Sequence, residues 1–187
     1  FLYPGCGYGG SCFPKDVKAL IKSGKQEDFD FQILEATENV IQAQKVILVS
    51  EIEKYFGGNL QGKKIAVWGL AFKANTDDIR EASSLDNIEK LLEKGATISA
   101  YDAIAEENVR KLLGDKIAYS KDMYSALENA DCLLIATEWS EFKNPNFEIM
   151  AEKMNNKAIF DGRNMFPLEQ IEDKGFFYKS IGRKTLG

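Results

Sequence analysis

The chain contains no histidine, only three cysteines and only four prolines among its 187 residues. Without histidine, histidine-based catalytic triads and most zinc sites are excluded, which leaves Cys, Lys, Asp, Glu and Tyr for any chemistry. Three cysteines without paired spacing predict neither a disulfide framework nor a thiolate metal site. We therefore expect no bound metal and a reducing, cytoplasmic setting.

Long apolar runs and an excess of positive charge are also missing. The sequence predicts no membrane span and shows no signal-peptide pattern. A net charge of −5 and a pI near 5.0 argue against broad binding to nucleic acid or to an anionic membrane. An anionic ligand such as a nucleotide diphosphate would have to be met by a few local cations.

A glycine-rich loop at residues 5–12 leads to a cysteine at the entrance of a predicted helix. Its sequence is GCGYGGSC, followed by FPKD. Glycines let the backbone approach a ligand closely, and Pro14 is favoured in the first turn of a helix. The helix entrance and Lys15 favour a thiolate at Cys12, and Asp16 is close enough to handle a proton or a water. A structural cysteine beside a tight turn explains the same spacing, so this loop alone leaves both interpretations open.

Helical patterns predict a short helix over 14–23, ended near Gly24, and a longer amphipathic helix over 31–56. At 1.5 Å per residue the longer helix would measure about 40 Å, more than one small domain needs to cover its core. Part of its apolar stripe is therefore expected to pack on a second subunit, with an ordinary core helix as the alternative.

From Lys63 onward, short apolar runs alternate with helical patterns, which predicts a Rossmann-like α/β domain with a parallel sheet. Ser120 is a plausible cap for one helix, and Gly95 and Gly114 are plausible stops for two others. The predicted strands are 64–69, 97–101, 132–136, 158–160 and 176–180, and the predicted helices are 83–94, 105–113, 121–129, 146–155 and 167–173. We place the boundary between a helical segment, 1–60, and this domain, 61–187.

This domain lacks the usual signs of NAD binding. A dinucleotide-binding domain carries GxGxxG after its first strand and an acidic residue after its second. Only Gly69 of the three glycines is present, and a loop of about a dozen residues delays the next helix. Asp102 follows the second predicted strand, but alone such a residue is more often a turn or cap residue.

Candidate ligand contacts follow the predicted strands. Phe72 and Lys73 come after the first strand and Arg163 after the fourth, at the sheet edge where ligands of open α/β sheets collect. A uracil could lie on the ring, and a diphosphate or sugar could meet the cations. Each residue taken singly could instead be a core aromatic or a surface cation.

Two further segments have structural interpretations. By default Arg80 would form an ion pair with Asp77 or Glu81. Glu138 and Trp139, after the third predicted strand, are interpreted as a pocket wall or a subunit contact.

Four blocks, in the same order, resemble the nucleotide-sugar 6-dehydrogenases, the family of the UDP-glucose, GDP-mannose and UDP-N-acetylmannosamine dehydrogenases. The blocks cover essentially the whole chain: residues 5–16, GLAFK at 69–73 with TDDIRE at 76–81, TEW at 137–139 with EF at 141–142, and DGRN at 161–164. The resemblance implies a UDP-sugar-binding domain preceded by a central helical segment that forms a homodimer. It also implies an N-terminal NAD-binding domain outside this chain. Since the chain begins inside the loop and without Met, we expect a fragment that is inactive alone.

The resemblance further implies roles for single residues. Cys12 would be the nucleophile that carries a thiohemiacetal and then a thioester, and Asp16 would handle the water or a proton. Lys15 and Arg80 would contact the cofactor, NAD. The remaining implied residues would bind the UDP-sugar: Phe1, Tyr3, Pro4, Gly5, Cys6, Gly7, Tyr8, Gly9, Phe72, Lys73 and Arg163.

Segments 76–82 and 137–139 look most like the UDP-glucose branch of the family. GDP-mannose and UDP-N-acetylmannosamine remain alternative substrates. A non-catalytic nucleotide-sugar-binding and dimerisation module, with a merely structural cysteine loop, is the alternative from another functional class.

Overall fold

The computed structural model describes residues 3–187, so the predicted substrate contact Phe1 lies outside the described residues. The helices of the described part are α1 (Phe13–Gln26), α2 (Gln32–Lys45), α3 (Ile47–Tyr55), α4 (Ser83–Glu93), α5 (Glu106–Leu113), α6 (Met123–Ala126), α7 (Phe147–Lys153) and α8 (Leu168–Ile171). The strands are β1 (Lys64–Trp68), β2 (Thr97–Tyr101), β3 (Ala118–Tyr119), β4 (Cys132–Ile135), β5 (Ala158–Asp161) and β6 (Phe177–Ser180). None of the helices within 3–187 combines the length and apolar character needed to cross a bilayer.

The six strands form one parallel sheet in the order β3-β2-β1-β4-β5-β6, which confirms the predicted Rossmann-like α/β class. Both central strands are apolar on their two faces, as a sheet covered by helices on both sides requires. One apolar cluster joins the sheet to α3, α4 and α5, and a second joins it to α6, α7 and α8.

The helices before the sheet differ from the prediction in two places. First, α1 continues to Gln26, beyond Gly24. Gly24 is needed for packing, because a Cβ there would lie 2.6 Å from the Phe29 carbonyl oxygen. Second, the predicted helix over 31–56 is two helices, separated at Val46, whose φ of −108° and ψ of 11° are not helical. The prediction of one unbroken helix was therefore wrong.

Smaller differences lie within the sheet domain. Strand β3 was not predicted, because two residues are too few to show an alternating pattern. Asp122, and not Ser120, caps α6, while the Ser120 hydroxyl lies 3.0 Å from that of Ser99. The two glycine stops are confirmed, since Gly95 (φ +83°) and Gly114 (φ +55°) follow α4 and α5.

Candidate functional site

The candidate site lies where the strand order reverses beside β1. The chain runs from β1 to β2 and β3 on one side and returns to β4 on the other. Ligands of open α/β sheets bind at the carboxyl ends of strands beside such a switch point. The connections 69–82, 136–139 and 162–164 follow β1, β4 and β5 at this edge.

The glycine loop is hydrogen-bonded to two of these connections. The Cys6 amide donates to the Gly162 carbonyl over 3.0 Å, and the Gly10 amide donates to the Arg80 carbonyl over 2.8 Å. Residues far apart in the sequence therefore meet at one edge of the sheet, as the predicted site requires.

Two glycines of this loop make contacts that a side chain would prevent. A Cβ on Gly9 would lie 2.4 Å from the Glu81 carbonyl oxygen. Gly10 has φ +88° and packs on the Phe72 ring, where a Cβ would come within 2.9 Å. Lys73 Nζ lies 5.2 Å from the centroid of the same ring. The Phe72 ring is thus in contact with the glycine loop and its own neighbouring cation.

Asp102 holds the loop after β1. Its carboxylate accepts hydrogen bonds from the amides of Leu70 (2.6 Å) and Ala71 (3.1 Å), from the indole N–H of Trp139 (2.9 Å), and from two amides of its own turn. Asp102 is therefore a structural turn residue, as predicted, and its carboxylate is not available to a ribose. Trp139 is 5% exposed and belongs to the core, which corrects the prediction of a pocket wall or subunit contact.

The three cysteines have different surroundings. Cys6 is 2% exposed, and its Sγ lies 3.1 Å from the Ser83 hydroxyl. Cys132 is buried in β4, and burial raises the pKa of its thiol well above the ordinary value. Cys12 is exposed and occupies the N-cap position of α1. Within residues 3–187, His, Cys, Asp and Glu form no group of three that could hold a metal ion.

Lys15 and Asp16 accompany Cys12 on the first turn of α1. Lys15 Nζ and Asp16 Oδ1 are 3.5 Å apart, and both side chains are largely exposed. The Asp16 amide donates to the Cys12 carbonyl over 2.9 Å. The predicted nucleophile, proton-handling residue and cofactor contact therefore lie together on one accessible surface.

Arg163 forms one wall of a cleft of about 310 Å³. Its Nε donates to the Ala136 carbonyl (2.8 Å), a second guanidinium nitrogen donates to the Phe72 carbonyl (3.2 Å), and Glu138 Oε2 lies 3.2 Å from Nε. The cleft is lined by Tyr3, Pro4, Glu138, Lys143, Arg163, Asn164 and Met165. Of the pair Glu138 and Trp139, which was predicted to form a pocket wall, Glu138 therefore lines this cleft.

Lys143, Asn164 and Met165 line this cleft but were not predicted as site residues, and Lys143 is the charged one among them. It follows the short 3₁₀ turn Ser140–Phe142, directly after the TEW and EF block. Glu138 already faces the Arg163 guanidinium and offsets part of its charge. Lys143 adds a second cation to the cleft. Its position next to the recognised block is the signal that could have identified it.

A second cleft, of about 530 Å³, lies between the glycine loop and the end of the β1 loop. It is lined by Gly10, Ser11, Lys15, Lys18, Arg80 and Glu81. Arg80 binds Asp78 with two hydrogen bonds of 2.9 and 2.7 Å, which lower the pKa of that carboxyl. The predicted ion pair of Arg80 with Asp77 or Glu81 was therefore wrong.

The other predicted contacts of the glycine loop face α2. Gln44 Nε2 donates to the Gly5 carbonyl over 2.8 Å, and Gly7, with φ +76°, packs against the Lys45 stem. The Tyr8 hydroxyl is buried with no hydrogen-bond partner among the described residues, and this burial raises the pKa of Tyr8. Gly5 and Gly7 thus connect the loop to α2.

Comparison with known families gives two matches, to two domains of one family. Residues 66–167 match the UDP binding domain of the UDP-glucose/GDP-mannose dehydrogenase family, and residues 1–43 match the central domain of the same family. The chain is 42% identical to a UDP-glucose 6-dehydrogenase of Pseudomonas aeruginosa over 192 residues, covering all of this chain and 42% of that protein. It is 40% identical to the UDP-glucose 6-dehydrogenase TuaD of Bacillus subtilis, covering all of this chain and 40% of that protein. The chain thus spans about two fifths of the length of these relatives.

Solved structures give the same result. A UDP-glucose dehydrogenase from the archaeon Pyrobaculum islandicum superposes with a TM-score of 0.80 at 32% identity, over 94% of this chain and 38% of that one. A UDP-D-ManNAc dehydrogenase from Pyrococcus horikoshii superposes with a TM-score of 0.74 at 30% identity, over 96% of this chain and 40% of that one.

Proposed function

Because the chain belongs to the UDP-glucose/GDP-mannose dehydrogenase family, we propose that it is the C-terminal part of an NAD-dependent UDP-glucose 6-dehydrogenase. Such an enzyme oxidises the C6 alcohol of UDP-glucose to the carboxylate of UDP-glucuronate. The observation that carries the proposal is the placement of the exposed Cys12 loop on the switch-point edge, beside the Arg163 cleft.

Cys12 acts as the nucleophile of the second oxidation. Once the C6 alcohol has become an aldehyde, the Cys12 thiolate adds to its carbon and gives a thiohemiacetal. Oxidation of this adduct leaves a thioester, and water then breaks the carbon–sulfur bond, which releases the carboxylate and restores the thiolate. Asp16, on the same helical turn, orients or deprotonates that water.

The cleft that contains Lys15, Lys18 and Arg80 fits part of a dinucleotide. The residues that line this cleft include three cations and one carboxylate, Glu81; Lys18 is paired with Glu81 and Arg80 with Asp78. Lys15 and Arg80 would hold NAD here, and two NAD molecules bound in turn would each supply the hydride acceptor for one of the two oxidations. Because the Asp102 carboxylate already accepts hydrogen bonds from the β1 loop, from Trp139 and from its own turn, NAD is not bound in the usual Rossmann manner by this domain.

The UDP-sugar occupies the Arg163 cleft. Tyr3, Pro4 and Arg163 line it, and Phe72 accepts one of the Arg163 hydrogen bonds through its carbonyl. Lys143 supplies a cation for the diphosphate, since Glu138 already offsets part of the Arg163 charge.

The protein forms a homodimer through its helical segment and acts in the cytoplasm. Ile33 and Val40 on α2 and Ile47 on α3 are 82%, 65% and 40% exposed, at intervals of seven residues. Ile33 and Val40 lie on one side of α2, two turns apart, and such an exposed apolar pair is typical of a helix–helix contact.

The test is NADH formation by the full-length protein with UDP-glucose, GDP-mannose and UDP-N-acetylmannosamine in parallel. We expect two molecules of NADH for each molecule of UDP-glucose. A strong preference for one of the other two sugars would replace the substrate. No NADH from any of the three, with UDP still bound, would favour a non-catalytic nucleotide-sugar-binding module.

A further inference from the structure

Glu81 occupies an unusual position at the end of the loop after β1. Its φ of +53° lies in the left-handed region, which residues other than glycine, asparagine and aspartate seldom adopt. Such a backbone persists where surrounding contacts fix it. The contacts of Glu81 extend in three directions.

The first contact joins Glu81 to α1. Lys18 Nζ donates to Glu81 Oε1 over 2.7 Å, and this hydrogen bond lowers the pKa of Glu81. Lys18 lies less than two turns from Cys12 on the same helix. The position of the Glu81 carboxylate therefore bears directly on the position of the Cys12 end of α1.

The second contact joins Glu81 to α2. Lys45 Nζ donates to Glu81 Oε2 over 2.9 Å and lies 3.3 Å from Asp86 Oδ2, although its side chain is only 3% exposed. A buried ammonium group needs such partners, because it has lost its water. The Lys45 stem packs against Gly7, so the ion pair with Glu81 also fixes a side chain that contacts the glycine loop.

The third contact is made by the backbone. The carbonyl of Arg80 accepts the Gly10 amide, and the carbonyl of Glu81 touches Gly9 so closely that no side chain could be added there. Glu81 thus contacts the glycine loop, the helix α1 that follows Cys12, and the buried Lys45.

We infer that Glu81 is a positioning residue: through Lys18 and Lys45 its carboxylate holds the glycine loop and the Cys12 end of α1 against the Arg163 cleft. Cys12 and the cleft lie on different parts of the chain, and misplacement of a reacting group by about 1 Å can cost a hundredfold in rate. The catalytic meaning of this contact rests on the proposed function, whereas the positioning itself does not.

The experiment compares Glu81→Gln with Glu35→Gln in the full-length protein. Glu35 pairs with Lys25 over 2.7 Å and joins α1 to α2 at the end away from Cys12, so it is a matched control. Hydrogen exchange of the peptide that spans residues 5–16 should be about tenfold faster in Glu81→Gln and unchanged in Glu35→Gln. Unchanged exchange in Glu81→Gln would overturn the inference.

The functional measurements separate this inference from the proposed function. In Glu81→Gln, kcat should fall about tenfold or more while KM for UDP-glucose changes less than about threefold. UDP-glucose should protect Cys12 from iodoacetamide in the unmodified protein and in Glu35→Gln, but not in Glu81→Gln. If the unmodified protein is neither protected nor active, the proposed function fails while the exchange data still decide the positioning.

A second variant covers the case in which Glu81→Gln does not fold. Lys18→Met removes the contact between Glu81 and α1, together with the longer 3.8 Å pair between Lys18 and Glu38, while Lys45 keeps both Glu81 and Asp86. It should raise exchange in the Cys12 end of α1 more than in the α2 peptides. Exchange equal to that of the unmodified protein in this variant would contradict the inference.

Discussion

At the scale of single residues, the sequence predicted the role of a residue more reliably than its hydrogen-bond partners. Asp102 was identified as a turn residue because it stood alone, without the glycines that a dinucleotide site needs. The predicted ion-pair partner of Arg80 was wrong, because three acidic residues lie within three positions of Arg80 and the sequence does not distinguish among them. The choice of Asp78 depends on the backbone of the β1 loop, which also directs the Arg80 amide to the same carboxylate.

Replacing Asp102 with Asn should destabilise the protein by about 3 kcal/mol. An amide oxygen can accept some of the five hydrogen bonds, but the amide NH₂ group would face N–H donors and leave others unpaired. Urea unfolding followed by circular dichroism measures the change. Asp115→Asn, at an exposed residue, is the control and should change stability by less than about 0.5 kcal/mol. A loss below about 1 kcal/mol for Asp102→Asn would contradict the assigned role.

Cys12 should react with iodoacetamide in the native protein, whereas Cys6 and Cys132 should react only after unfolding. The reason is accessibility, because Cys6 is 2% and Cys132 0% exposed. Mass spectrometry of the alkylated peptides measures each rate separately. Cys6 is buried against Gly162, so it should not compete with Cys12 for the reagent. Equal rates at Cys6 and Cys12 would show that the loop opens in solution.

At the scale of helices and strands, periodicity predicted the sheet strands well and helix continuity poorly. The strands are short and apolar on both faces, so their pattern depends little on the surroundings. The break at Val46 could not be predicted in this way, since the apolar repeat continues through it. It marks the point where the buried α3 side chains Leu48, Val49 and Ile52 join the core, while α2 remains largely exposed.

Val40→Glu should dissociate the proposed dimer. Val40 is 65% exposed on α2, and a carboxylate placed in an apolar helix contact between two copies would lose its water without gaining a partner. Sedimentation velocity of the full-length protein should show a monomer for Val40→Glu and a dimer for the control Asn39→Glu, at the adjacent exposed position. A dimer with unchanged affinity in Val40→Glu would contradict the proposed contact face.

At the scale of the whole molecule, the fold class followed from the alternation of strands and helices, while the site followed from contacts between distant segments. No sequence pattern shows that the Gly10 amide donates to the Arg80 carbonyl, or that the Cys6 amide donates to the Gly162 carbonyl. Such contacts depend on how the fold brings the glycine loop to the three connections at this edge of the sheet, and they are visible only in three dimensions.

Stability should fall as the pH is lowered from about 5 to about 3. Hydrogen bonds from Arg80, Lys18 and Lys54 lower the pKa values of Asp78, Glu81 and Glu51 from ordinary values of 3.8, 4.5 and 4.5. A carboxyl with a lowered pKa stabilises the fold above its unfolded pKa, and this contribution is lost as the pH falls through the folded value. Urea unfolding at several pH values measures the slope, which Asp78→Asn should reduce. An identical slope in Asp78→Asn would exclude that carboxyl as a contributor.

The most direct test of the central claim is the product formed by Cys12→Ser in the full-length protein, supplied with UDP-glucose and NAD. A serine hydroxyl keeps the shape of the site but is a far weaker nucleophile than a thiolate, so we predict that UDP-glucuronate formation is abolished. Mass spectrometry of the sugar nucleotides after prolonged incubation, beside the unmodified protein, gives the answer. UDP-glucuronate formed at the normal rate by Cys12→Ser would contradict the thioester route.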